Sequence, residues 1–239
     1  MKECSKSIHR RLSDSRFITR YFVGNGLDIG GSPDPLVLYQ ELFPLVTKIK
    51  TWDREQGDAQ YLYGMNDCSV DFVHSSHCLE HLYDPFEGLS NWIRVVKPGG
   101  YIVVTVPDED LYEQGVFPST FNRDHKWTFT IYKRKSWSHK SINILDMLKE
   151  INFDYHIEKI ELLNATFRYK LPKYDQTKTP IGESCIEFVL RRLLDEEVEL
   201  GGRLVDNEQP EEELRIHLNQ YTIDANGCSF RSSGSLCSC

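Results

Sequence analysis

No stretch of this sequence approaches the roughly 20 consecutive apolar residues that a helix needs to cross a bilayer. The segment Met1 to Arg20 is polar and mixed in charge, without the apolar core of a signal peptide. A disulfide framework is missing too. The seven cysteines, Cys4, Cys68, Cys78, Cys185, Cys228, Cys237 and Cys239, form an odd set without regular spacing, which argues against a secreted, stapled scaffold. The Cys237-x-Cys239 ending has the residue types of a metal site but reads first as incidental. Positive charge is in deficit, since 28 Lys and Arg against 36 Asp and Glu leave a formal net charge of −8. Such a balance repels a phosphate backbone, so nucleic acid is not an expected partner. The one compact basic run, Lys133-Arg134-Lys135, reads as solvated surface. These absences lead us to expect a cytoplasmic protein with no membrane span.

What is present suits one sizeable core. At 239 residues, with 40% hydrophobic and 27% charged, the chain has the composition of an ordinary globular protein. Strand-like and helix-like segments alternate, the pattern of a parallel sheet covered on both faces. Strands are expected at Gly26 to Ile29, Val46 to Trp52, Asp71 to His74, Tyr101 to Val106, Tyr155 to Leu163 and Ser184 to Leu190. Helical spacing is weak over Leu36 to Leu45 and strong over Leu79 to Val96, where Lys97-Pro98-Gly99-Gly100 should stop it. A further helix is expected over Ser141 to Ile151, capped by Ser138 or Ser141. Asp108 to Trp137 reads as a long polar and aromatic loop, and Asn164 to Gly182 as a second insertion. From Asp195 the acidic, then Ser-, Gly- and Cys-rich composition predicts a tail, partly helical and disordered at its end. Residues 1–194 are therefore expected to be the folded domain and 195–239 the tail.

The strongest local signal is the turn Asp28-Ile29-Gly30-Gly31, where glycines after a strand let the backbone come close to a bound nucleoside. An acidic residue, Asp53, ends the next strand, where a carboxylate accepting from a ribose diol is expected, about 20 residues on. Asp58, in Gly57-Asp58-Ala59, is a second carboxylate within reach of an adenine. A nicotinamide dehydrogenase would need further glycines beyond Gly31, and Ser32-Pro33-Asp34-Pro35 supplies none.

These residues resemble class I S-adenosylmethionine-dependent methyltransferases, in particular the methyltransferase type 11 group. The resemblance runs from about Gly26 to Leu190. It is most specific over Val70-Asp71-Phe72-Val73-His74-Ser75-Ser76-His77-Cys78-Leu79-Glu80-His81-Leu82 and over Arg94-Val95-Val96-Lys97-Pro98-Gly99-Gly100-Tyr101. It implies a doubly wound, mostly parallel, seven-stranded Rossmann-like sheet. It also implies S-adenosylmethionine as cofactor, with Asp28, Gly30, Gly31 and Ser32 under its methionine part and Asp53 on the ribose. Asp58 and Ala59 would then meet adenine, and Ser75 and His77 would lie beside the cofactor. Two departures stand out. Ser32 replaces a glycine of the family's turn, and Asp53 and Asp58 are too close for a full helix and strand between them, so the region after the second strand must be shortened.

Methyl transfer from a sulfonium is an in-line displacement that rests largely on positioning, and a general base assists when the acceptor is a hydroxyl. His77 is the first candidate base and His125 the second, with Asp124 able to orient it, while His81 is expected to start a helix and pack or cap. Asp108, with Glu109 and Asp110, should sit at the same rim, binding acceptor hydroxyls or a Mg2+ ion. Phe121, Trp127, Phe129 and Tyr132 beside Arg123, His125 and Lys126 suit a sugar ring. The expected function is O-methylation of a small metabolite, sugar or surface glycan, hence a place in glycan biosynthesis. The alternatives are a nitrogen, carbon or protein acceptor, or a non-catalytic cofactor-binding scaffold.

Overall fold

The computed structural model describes residues 3–203. Its main sheet is assembled from β1 (Gly24–Ile29), β2 (Val46–Trp52), β3 (Val70–Ser76), β4 (Val96–Pro107), β7 (Tyr155–Leu163) and β8 (Cys185–Arg192). The order across the sheet is β2-β1-β3-β4-β8-β7, with β8 alone antiparallel to its neighbours. A second, two-stranded parallel sheet pairs β5 (Thr128–Thr130) with β6 (Ser141–Asn143).

The centre of the main sheet is buried on both faces, which is why residues 102–106 and 186–190 are largely apolar, while β2 and β7 at its margins are partly exposed. Successive side chains go to opposite faces. Val73, Ile102, Val104, Phe188 and Leu190 pack with α2 (Pro85–Val95) and α3 (Ile144–Glu150) through Leu89, Trp92, Ile93, Met147 and Leu148. Phe72, Val103 and Val189 face the other way, towards Cys4 and Ile8 of α1 (Glu3–Ser13) and the aromatic residues Phe17, Tyr21, Phe22 and Phe43.

The sheet has six strands among the described residues, one fewer than expected. Between β2 and β3 the chain forms turns only. The apolar stretch Ala59 to Tyr63 packs on α2 instead of pairing. Leu62 is buried, the Ala59 carbonyl accepts from Trp92 Nε1 at 2.8 Å, and the Gln60 amide bonds both Glu87 and the Asp84 backbone. A parallel crossover needs a dozen or more residues for each return, and this segment is too short to supply a helix and another strand.

The helix expected over Leu79 to Val96 is broken. Leu79–His81 forms a 3-10 turn, and α2 begins only at Pro85. Asp84 precedes a proline, which disfavours helical backbone, and sits extended at φ −127°. Its carboxylate caps α2 by accepting from the Phe86 and Glu87 N–H groups. Glu80 and His81 are thereby held on a short turn beyond the end of β3. Lys97-Pro98-Gly99-Gly100 is not a helix stop but an irregularity inside β4, where Phe72 pairs with Tyr101 after Val70 has paired with Val96. A Cβ at Gly100 would lie 2.4 Å from the Asp71 carbonyl oxygen, so a side chain cannot be accommodated there.

Leu36–Leu42 is a 3-10 helix, and α3 starts at Ile144, after β6, with Asn143 at its cap rather than either expected serine. The long segment after β4 contains a π-helical turn, Glu109–Glu113, and β5. The insertion after β7 carries one 3-10 turn, Gln176–Lys178. Met1–Glu199 forms one compact unit. Of the expected tail, α4 (Asp195–Leu200) is described, with Glu197 paired to Arg191 of β8 at 2.8 Å. The remainder from residue 204, including Cys237-x-Cys239, lies outside the described residues. Among the described residues no helix is long and apolar enough to cross a membrane.

Candidate active site

β1 and β3 are neighbours, with Asp28 opposite His74 and Ile29 opposite Ser75. Their carboxyl ends therefore open side by side, where ligands of open α/β sheets bind. A chamber of about 170 Å3 lies there, walled by Gly30, Gly31, Ser32 and Asp34 after β1, and by His74, Ser76 and His77 of and after β3. Glu80 and His81 of the 3-10 turn, Asn122 and His125 of the long loop, and Glu3 and Cys4 of α1 complete it. A larger depression of about 460 Å3, edged by Arg10, Arg16 and Lys159, is open and lies away from these strand ends.

The glycine turn is tight for steric reasons. Gly30 has φ +71°, and a Cβ on Gly31 would meet Asp28 Oδ2 at 2.4 Å. Asp28 itself is fully buried and fully committed: Oδ1 accepts from His74 Nδ1 at 2.6 Å and Oδ2 from the Leu36 N–H at 2.6 Å. His74 Nε2 accepts from Arg11 at 2.9 Å. Arginine can only donate, so His74 carries its proton on Nδ1 and is neutral. Burial, with Arg11 nearby, pushes its pKa down against the pull of Asp28. Arg11 also pairs with Glu187 of β8 at 2.9 Å, both side chains being almost wholly buried. Burial alone would raise the Glu187 pKa, but Arg11, Arg10 and Lys159 hold it far below the ordinary value. Asp34 ties α1 to the turn, accepting from the Ser5 N–H and the Tyr39 hydroxyl.

His77 lines the chamber with a left-handed backbone, φ +56°, a strained conformation of the kind that recurs at functional sites. Its N–H is tied to the Thr105 carbonyl and its Nδ1 lies 3.1 Å from the Ser76 hydroxyl. Burial pushes its pKa down to about 3. His125 is brought to the chamber because its loop docks on the 3-10 turn. The Lys126 N–H donates to the Glu80 carbonyl, Lys126 Nζ to that of His81, and Trp127 Nε1 to that of Leu82. His125 Nδ1 lies 2.6 Å from Glu113 Oε1. Burial lowers its pKa, but Glu113 and Glu80 outweigh this and leave it above the ordinary value.

The expected site residues divide accordingly. Gly30, Gly31, Ser32, His77 and His125 line the chamber together. Asp28 and Ser75 lie beneath it, Ser75 donating to the Ile29 carbonyl, so their side chains hold the floor rather than face a ligand. Asp53 ends β2 half-buried outside the chamber; burial raises its pKa, offset in part by a hydrogen bond from the Ser32 backbone. Asp58 is exposed and accepts from the Gln60 N–H, and Ala59 faces α2 through its carbonyl.

Asp108 was expected at the chamber rim. It does not line the chamber; it caps the π-helical turn by accepting from the Asp110 and Leu111 N–H groups, and burial raises its pKa to about 6. A Mg2+ ion on Asp108, Glu109 and Asp110 has no support either. Glu109 is buried and accepts from Thr128, Ser136 and Ser141 beside Lys133, while Asp110 pairs with Lys133 and Trp137. These acids organise the loop. Its aromatics anchor it: Phe129 is core, Trp127 packs against the core, and neither these nor Phe121 and Tyr132 line the chamber. His81, expected to pack or cap, lines the chamber wall. Glu3, Cys4 and Arg11 were not anticipated, since α1 is too polar for its few apolar positions to announce a buried face.

A family model described as a methyltransferase domain matches residues 39–104, from the first 3-10 helix into β4. No curated protein matches the chain. A methyltransferase of Archaeoglobus fulgidus that uses S-adenosylmethionine shares the fold at a TM-score of 0.50 and 20% identity, covering 80% of this chain and 95% of that one. A putative methyltransferase of Bacillus halodurans aligns at a TM-score of 0.48 and 14% identity over 78% of this chain and 99% of that one. A putative methyltransferase of Haloferax volcanii, seen in complex with the Trm112 activator, aligns at 0.49 and 13% over 79% and 90%. The matched segment carries β2, β3, the Glu80-His81 turn and α2, so it is over this part that the chain is similar to methyltransferase domains.

Proposed function

We propose that this methyltransferase methylates an oxygen of a small hydroxylated acceptor, a metabolite or the terminal sugar of a glycan. The observation that carries the reading is a small polar chamber that joins the glycine turn to His77. At about 170 Å3 it is smaller than the roughly 300–1,000 Å3 of sites that enclose a whole ligand. It suits the reacting end of the cofactor and a compact acceptor group. The turn fits that end, since Gly30 and Gly31 leave no room for side chains. Asp53, whose half-buried carboxylate can accept from a ribose diol, would be the residue that holds the nucleoside's ribose. When bound, S-adenosylmethionine supplies an electrophilic methyl group.

The chain's own residues do the rest. Gly30, Gly31 and Ser32 bring backbone close to the ligand, and α1 shields the chamber from water. His77, with Nδ1 beside Ser76, offers Nε2 as an acceptor that orients the incoming hydroxyl. A group with a pKa of about 3 is a weak base early in the reaction but stays unprotonated at working pH. It can take the proton late, because an oxygen that has gained a methyl group is a far stronger acid than imidazolium. His125 is less suited, its Nδ1 being held by Glu113 and its Nε2 facing Glu80. The cysteines of the described residues are all free, in keeping with a reducing, cytoplasmic setting.

Calorimetric titration with S-adenosylmethionine and S-adenosylhomocysteine tests the reading. We expect micromolar binding that weakens about tenfold or more in Asp53→Ala, the scale of one lost hydrogen-bonded contact. A screen of hydroxylated acceptors then follows, with Asp108→Asn active within about twofold and His77→Ala impaired. Absence of binding by folded protein would favour the scaffold reading; transfer only to a nitrogen, carbon or protein acceptor would replace the oxygen reading.

A further inference from the structure

One wall of the chamber gathers groups that the proposed transfer does not use. Glu80 is fully buried, and neither carboxylate oxygen has a hydrogen-bond partner. His81 Nε2 and His125 Nε2 each lie 3.8 Å from Glu80 Oε1. One ligand atom from each of the three residues lies within 4.8 Å of the others. The remaining ring nitrogens are both occupied: His81 Nδ1 is 3.1 Å from the Asp124 carbonyl oxygen and His125 Nδ1 is 2.6 Å from Glu113 Oε1. Acceptors at both positions fix the Nδ1–H tautomers and leave a lone pair on each Nε2. Two imidazole lone pairs and a buried carboxylate then converge with no donor between them, an arrangement that calls for a cation.

We propose that Glu80, His81 and His125 bind a first-row transition-metal dication, with Zn2+ the best match, and that Glu113 and the Asp124 carbonyl orient the two imidazoles. A carboxylate or carbonyl on the far nitrogen is the usual support of a metal-binding histidine. Two imidazoles and one carboxylate suit Zn2+ and its neighbours, not Mg2+ or Ca2+, which prefer all-oxygen sets. Bonds of about 2.0–2.1 Å in a tetrahedron put ligand atoms about 3.3 Å apart, so binding draws each imidazole about half an ångström towards Glu80 and the two imidazoles up to about 1.5 Å towards each other. Three protein ligands leave a position open to the chamber, where His77 and Asn122 also face. An acceptor oxygen or water bound there would be acidified. The assignment rests on the donor set and holds whatever the methyl acceptor is.

The test reads metal, not methyl transfer. Full-length, tag-free protein stripped with chelator is titrated with Zn2+ by calorimetry and with Co2+ by absorption spectroscopy. We expect one equivalent per chain and Co2+ ligand-field bands without a thiolate charge-transfer band. Affinity should fall at least 100-fold in His125→Ala and at least tenfold in Glu80→Gln. Glu113→Gln should weaken it about 10–100-fold without touching the metal. Cys237→Ser/Cys239→Ser should bind like wild type. No micromolar binding, binding that survives both Glu80→Gln and His125→Ala, or a thiolate band lost in the double serine variant would each overturn the site. Should His125→Ala fail to fold, His81→Gln and Glu113→Gln, checked by circular dichroism, give the same decision.

Discussion

Two groups of buried ionisable side chains border the chamber, and they differ in closure. In the first, Glu187 meets Arg10, Arg11 and Lys159, Arg11 meets His74, and His74 meets Asp28, which also receives the Leu36 N–H. Donors and acceptors match along the whole line. In the second, Glu113 uses one oxygen on His125 while its other oxygen and both oxygens of Glu80 find no partner. Buried polar atoms are satisfied in the great majority of native structures. A closed network is therefore architecture, binding α1 and β8 to the strand ends, while an open one is shaped to be completed by something from outside.

The contrast is broken most directly at Glu187. Replacing it with Gln leaves Arg11 buried without a counter-charge, and we expect a loss of about 3–5 kcal/mol, read by denaturant unfolding. The pH dependence follows from the depressed pKa of Glu187, set by its guanidinium partners against the opposing effect of burial. Its stabilising contribution is complete above the ordinary carboxylate value of 4.5 and is lost as pH falls towards the folded-state value. Wild type should thus lose stability in acid more steeply than Glu187→Gln.

On the open side the expectation reverses with conditions. Zn2+ at about 100 times its dissociation constant should stabilise wild type by about 2.7 kcal/mol, and Glu80→Gln should show little of this. Without metal, Glu80→Gln should be as stable as wild type or more stable by up to about 1 kcal/mol, because an unpartnered buried carboxylate has been neutralised. A loss comparable to that of Glu187→Gln would place Glu80 in the closed class. The smallest effect concerns Asp108. Asp108→Ala should cost about 1 kcal/mol through the lost cap, while Asp108→Asn should stay within about 0.5 kcal/mol of wild type.

Much of the sheet was legible because apolar and β-branched residues recur along its strands between turn residues: Tyr155–Leu163 matches expectation residue for residue, and Val46–Trp52 likewise, although both carry charged, partly exposed positions. The shortened crossover followed from the spacing of Asp53 and Asp58. The broken helix was hidden because Leu79 and Leu82 continue the apolar spacing of α2, although Asp84-Pro85 marked the true start. At the site, the glycine turn and His77 were readable from their place after strands. Convergence of Glu80 with His125 was not, since it depends on side-chain bonds to backbone carbonyls across 45 positions, from Lys126 Nζ to His81 and from Trp127 Nε1 to Leu82. The capping role of Asp108 was not legible, because an acidic residue after a strand serves equally as a cap or as a ligand.

Absence of a strand beyond β2 also bears on how the protein behaves in concentrated solution. β2 is the margin of the main sheet, and among the described residues no strand pairs with its outer side. Such a margin is a template for another copy of the chain, and exposed lysines are a common safeguard. Lys48 and Lys50 are both exposed on this strand. The shortened crossover, a concession in architecture, thus makes two surface charges the guardians of solubility. Exchanging both for threonine should lower the temperature at which light scattering rises while leaving cofactor affinity unchanged.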